Sequence, residues 1–153
     1  MTSKKRVVLI TGAESGIGKS TSKIFLDNGY KVICTYLKNN NNKNTKDIEY
    51  HRIDITKNKD WENLALYIKK KFKKIDVLVN SAGVRLSGNL ETTSMSDWSY
   101  HLNNNVTGTF LACKYILPFL KKAKNSSIIN VASINSIRGC LLYTSPSPRD
   151  WLQ

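Results

Sequence analysis

The residues Thr11-Gly12-Ala13-Glu14-Ser15-Gly16-Ile17-Gly18 are the first in this chain whose types and spacing could do chemistry. They follow an apolar run, Val7 to Ile10, and precede an amphipathic stretch. Strand, glycine-rich turn and helix in that order hold a dinucleotide's pyrophosphate. Gly12 suits a tight turn, Gly16 admits phosphate close to the backbone, and Gly18 lets the helix lie against its strand. The N–H groups that open the helix would then point at the anion, with Ser15 and Ile17 in the same cradle. Three further runs place polar residues where strands end: Asp54-Ile55-Thr56, Asn80-Ser81-Ala82-Gly83 and Asn130-Val131-Ala132-Ser133. Each has an ordinary explanation beside a functional one. Asp54 suits a solvated strand end or a helix cap, Asn80 a turn, Ser133 a loop, and Asn105 the polar filler of Asn103-Asn104-Asn105. His51 and His101 have no partner that the sequence identifies and are expected to be ordinary surface or strand residues.

These residues need elements to position them, and the hydrophobic pattern supplies an alternation. Strands are expected at Val7–Thr11, Lys31–Tyr36, Ile48–Ile53, Ile75–Asn80 and Ser127–Ala132. Between them run helices with apolar stripes at Ile17, Thr21, Ile24 and Phe25, at Trp61, Leu64, Ile68 and Phe72, and at Val106, Phe110, Cys113, Leu117 and Leu120. Pro118 is expected to kink the last helix. The alternation predicts an α/β fold, a doubly wound parallel sheet, and right-handed crossovers give the order 3-2-1-4-5 if the fold is of Rossmann type; the pattern stops after the fifth strand, so the sheet is expected to be truncated there.

The chain has 153 residues, enough for one domain with a core, and is 41% hydrophobic. Its net charge of +13 invites a nucleic-acid function. The lysines are scattered among abundant asparagines, so no nucleic-acid partner is expected; Lys69-Lys70-Lys71, with Lys73 and Lys74, reads as a solvated helix end. Cys34, Cys113 and Cys140 lack metal or redox spacing, so no metal site is expected, and Cys34 and Cys113 read as small core residues. The apolar run ending at Ile10 is too short for a signal peptide, and no stretch is long enough to span a membrane. A cytoplasmic location and no membrane partner are the expectation.

Taken together and in order, the four motifs resemble those of the short-chain dehydrogenase/reductase family over residues 4–139. The resemblance implies a 1–139 NAD(P)-binding Rossmann domain and an oxidoreductase that moves hydride between nicotinamide and a small carbonyl or alcohol, with 3-oxoacyl-carrier-protein reductases among the relatives it suggests. It implies that Asp54 binds the adenine amino group, with Ile55 beside it, and that Asn80, Ala82 and Gly83 line the cofactor. Ser81 stands where the family usually has asparagine. Ser133 would hold the substrate oxygen. Asn105, seven residues after Trp98, would hold a water of the proton relay. The family's proton donor is a tyrosine with a lysine four residues on, expected about thirteen residues after the serine. Pro146 and Asp150 stand at those positions, and no lysine follows residue 139. The chain is therefore expected to be catalytically incomplete, although its parent enzyme would be a homo-oligomer.

At the end of the second strand, Tyr36, Leu37 and Lys38 offer no carboxylate to a ribose hydroxyl, and Lys38 could pair with a 2′-phosphate, so NADP(H) is favoured with NAD(H) as the alternative. Residues 140–150, CLLYTSPSPRD, break the alternation and match one reading frame of a transposon-type sequencing adapter. The stretch 140–153 is accordingly expected to be a non-native or disordered tail, leaving Ser127–Ala132 as an open, apolar edge. A non-catalytic dinucleotide-binding or sensing module is the alternative if that tail is native.

Overall fold

The computed structural model describes residues 5–38 and 43–133. The sequence's expectations for residues 140–153, Cys140 included, lie outside the described residues. Five strands form one parallel sheet in the order β3-β2-β1-β4-β5, as the alternation predicts. They are β1 (Val7–Ile10), β2 (Lys31–Tyr36), β3 (Ile48–Arg52), β4 (Val77–Asn80) and β5 (Ser127–Asn130). Helices α1 (Gly16–Asp27), α2 (Asn58–Lys71), α3 (Met95–Leu102) and α4 (Gly108–Leu120) connect and flank them. A π-helical turn, Asn103–Thr107, joins α3 directly to α4.

The apolar runs of β1 and β4 are buried throughout, because helices cover both faces of a parallel sheet. On one face Leu9, Ile33 and Leu78 pack with Trp61, Leu64 and Ile68 of α2 and with Leu111 and Ile116 of α4. On the other, Val8, Ile10, Val32 and Cys34 meet Phe25 and Leu26 of α1. Burial pushes the Cys34 thiol up to about 12 against an opposing hydrogen bond with Ser22, which fits a core residue and not a reactive one. Cys113 is half-buried.

The α2 stripe is buried as expected. Two other helices turn a different face inward. In α1 the buried residues are Gly18 and Ser22, while Ile17 and Ile24 are exposed. The helix lies so close to the turn before it that small side chains, not the most apolar ones, must face in. In α4 Leu111, Ala112, Ile116, Phe119 and Leu120 are buried, whereas Phe110 and Leu117 of the expected stripe are exposed, as is Val106 before the helix. Leu120 of that stripe is buried. Only Val106 falls in the π-helical turn, which shifts its phase against the helix that follows; within α4 apolar residues stand on most sides, so the stripe does not single out the inward face. Pro118 lies inside α4, which ends at Leu120.

The lysine-rich end of α2 is partly neutralised: Lys71 pairs with Glu49 at 2.7 Å and Lys74 with Asp76 at 2.7 Å. Asp76 also accepts the Val7 N–H at 2.8 Å, fastening the start of β1 to the start of β4.

Candidate functional site

The glycine-rich turn leaves β1 at Thr11, which ties it to the loop after β4. The Thr11 hydroxyl oxygen accepts the N–H groups of Ser81 and Ala82, each at 3.0 Å, and the Thr11 N–H donates to the Val79 carbonyl at 3.0 Å. Gly12 follows with φ +65, and a Cβ there would lie 2.7 Å from the Ala82 Cα, so only glycine fits. Ala13 donates its N–H to the Thr35 carbonyl at 2.9 Å, which fastens the turn to β2 as well. A Cβ on Gly18 would stand 2.3 Å from the Gly12 carbonyl oxygen, so helix and turn pack backbone to backbone. The first turn of α1 carries no acidic residue and the Ser15 side chain does not cap it, an arrangement suited to an anion.

A cavity of about 510 Å³ opens where these loops converge, at the carboxyl ends of the strands. Of the residues singled out by sequence, it is lined by Gly12, Ser15, Gly16 and Ile17 after β1, Tyr36 and Lys38 at the end of β2, Ile55 after β3, and Ala82 and Gly83 after β4. Glu14, Thr35, Leu37, Ile53, Ser81, Val84, Tyr100 and Asn104, not assigned a cofactor role from the sequence, also line it. Glu14 was legible as the charged member of the glycine motif. Asn104 could not be told from its asparagine neighbours, because the π-helical turn that buries it leaves no periodic signal.

Three expected cofactor residues are not among the cavity-lining residues. Gly18 packs under the turn. Asp54 accepts the Thr56 N–H at 2.9 Å and the Thr56 hydroxyl at 2.7 Å, a local turn of the kind aspartate makes after a strand. Asn80 is buried and donates to the Asn130 side-chain carbonyl at 2.8 Å, joining the ends of β4 and β5. Neither bond set gives these residues a direct place in the cavity wall.

Asn105 clamps the chain after Gly83: its side-chain oxygen accepts the Val84 N–H at 2.8 Å and its amide donates to the Val84 carbonyl at 3.0 Å. It lines a second cavity of about 490 Å³, with Leu86, Trp98 and His101 among the walls. His101 has a partner after all, accepting the Leu86 N–H at 2.7 Å. So does His51, whose Nε2 lies 3.8 Å from the Glu49 carboxylate and whose ring rests on Tyr67. Burial lowers the His51 pKa against the opposing pull of Glu49. Ser133 follows the end of β5 and is exposed. Positions 146 and 150 lie outside the described residues. Among the described residues, no group of three or more histidine, cysteine, aspartate or glutamate side chains is placed to hold a metal ion. No helix among them is long and apolar enough to cross a membrane.

The model of the short chain dehydrogenase family matches residues 6–145. The chain belongs to that family. Its similarity extends to the 3-oxoacyl-[acyl-carrier-protein] reductase FabG of Thermotoga maritima, 32% identical over 142 residues that cover 88% of this chain and 58% of the relative. Among solved structures, an ElxO variant with NADPH bound is 33% identical with a TM-score of 0.81, the match covering 90% of this chain and 59% of that one. A short chain dehydrogenase from Leptospira borgpetersenii with bound NAD+ is 25% identical with a TM-score of 0.83, covering 92% of this chain and 56% of that one. The chain spans about half the length of the curated relatives it matches.

Proposed function

We propose that this short-chain dehydrogenase chain is the nucleotide-binding portion of an oxidoreductase that passes hydride between a nicotinamide dinucleotide and a small carbonyl or alcohol. The carrying observation is the cavity itself: loops from four adjacent parallel strands meet there, under a turn that only glycine can make. NADP(H) is the favoured cofactor, with NAD(H) the alternative. Lys38 lines the cavity, no carboxylate stands at Tyr36 or Leu37, and relatives of known structure hold either form. The FabG likeness favours a 3-oxoacyl group as the substrate class.

The residues divide the work as follows. The Gly12–Ile17 turn and the opening of α1 receive the pyrophosphate. Bound nicotinamide supplies or accepts the hydride. Ser133 hydrogen-bonds the substrate oxygen and orients it. Asn105, with its oxygen and its amide each bonded to Val84, holds the loop after Gly83 in position, and the remaining lone pair and N–H of its side chain are what it would offer the relay water. Protonating the developing alkoxide needs an acid, and Pro146 and Asp150 stand where the family's tyrosine and lysine are expected. The chain therefore binds nucleotide without completing the reaction. Mixing it with NADPH and a panel of ketones tests this directly: absorbance at the reduced nicotinamide band should stay constant. Oxidation of NADPH at ordinary enzymatic speed would overturn the proposal.

A further inference from the structure

The cavity contains a charge that a phosphate cradle does not call for. Glu14 sits inside the glycine motif, between the tight turn and the start of α1, and lines the same cavity as Lys38. Its Oε2 is buried and has no hydrogen-bond partner among the described residues. The Thr35 hydroxyl, also lining the cavity and 1% exposed, is in the same condition. A buried carboxylate oxygen left unpaired is costly, so a position of this kind is tolerated where a ligand supplies the donor. A carboxylate can only accept. Of the groups on a dinucleotide, the phosphates are acceptors too and would repel it; the ribose hydroxyls and the adenine and carboxamide amino groups donate, and of these the adenosine ribose is the one that the glycine turn and Lys38 would flank.

We propose that Glu14 is a specificity-determining residue that takes a ribose hydroxyl of the cofactor and opposes Lys38 in the choice between phosphorylated and unphosphorylated dinucleotide. This rests on the nucleotide-binding function proposed above. Lys38 attracts a 2′-phosphate; Glu14 repels it and rewards the free hydroxyl that the phosphate would replace. With opposite charges lining one cavity of about 510 Å³, the site accepts both cofactors and prefers NADPH only modestly. Thr35, able to donate and accept, adds a second contact suited to a vicinal diol.

The test is the ratio of NADPH to NADH affinity, measured by nucleotide fluorescence on the full chain and three variants. Glu14→Gln removes the charge at constant size and should raise the ratio about tenfold, since one screened like-charge repulsion is relieved. Glu14→Ser should move it in the same direction, and Lys38→Gln should lower it. A ratio that both Glu14 variants leave within about twofold of the parent's overturns the proposal and leaves nucleotide binding intact. A parent chain that binds neither nucleotide overturns both. If both Glu14 variants lose the parent's circular dichroism spectrum, Glu14 is a determinant of folding and the specificity role is likewise refuted.

Discussion

β4 and β5 are adjacent in one ladder, equal in length and parallel in register from Val77↔Ser127 to Asn80↔Asn130. Every residue of β4 is buried and every residue of β5 is exposed. Ile128 and Ile129 are as apolar as Leu78 and Val79, so the difference does not come from the strands themselves. It comes from what lies beside and over them: β4 has β1 on its other side and α4 packed across it, whereas β5 pairs, among the described residues, with β4 alone. The proposed functional residues follow the same division. The proposed nucleotide cradle is fastened to β1, β2 and β4 by hydrogen bonds of the Thr11 hydroxyl and of the backbone, while Ser133 follows the exposed strand.

The comparison predicts large effects in the cradle and small ones on β5. Gly18→Ala should be the most damaging, because its Cβ would press against the Gly12 carbonyl from 2.3 Å. We expect a loss of about 2–3 kcal/mol in urea unfolding, with nucleotide binding lost as the turn moves. A variant as stable as the parent would show that α1 can slide away from the turn.

The sheet's opposite edge sharpens the contrast. β3 protects itself with Glu49, which is 6% exposed. Burial alone would raise its pKa, but hydrogen bonds from Lys71 and Tyr67 outweigh this and hold the carboxyl below its ordinary 4.5. A depressed folded pKa stabilises the fold above the unfolded value, and that contribution disappears as pH falls from 4.5 through the folded value. Stability profiles of the parent and Lys71→Met should therefore converge in acid and separate at neutral pH, by about 1 kcal/mol given the half-exposed lysine. Profiles that run parallel throughout would remove this distinction between the two edges. The smallest effect belongs to Ile129→Thr on β5, expected within about 0.5 kcal/mol of the parent. A loss above about 2 kcal/mol would mean that β5 is covered as β4 is.

The sequence made the sheet order and the glycine cradle legible because both depend on local signals: apolar runs for buried parallel strands, glycines where backbones nearly touch. Trp61, Leu64, Ile68 and Phe72 were legible for the same reason, as a stripe on an otherwise polar helix. The inward face of α1 was not, since close approach selected Gly18 and Ser22 over Ile17 and Ile24. The face of α4 was hidden because that helix is apolar on most sides, and the π-helical turn before it put Val106 out of phase. In the site, residue type alone could not separate cavity walls from the bonds behind them. Asp54 and Asn80 are motif residues, yet their observed partners are Thr56 and Asn130. Glu14 carried the opposite lesson, a departure from small and neutral that marks the wall itself.

The loops after β1, β2, β3 and β4 line one cavity, proposed above as the dinucleotide site. Titrating the full chain with NADPH and following nicotinamide fluorescence tests it most directly. Saturable binding of one nucleotide per chain, abolished by Gly18→Ala, is expected. A flat titration into the millimolar range, or equal binding by the parent and the variant, would contradict it.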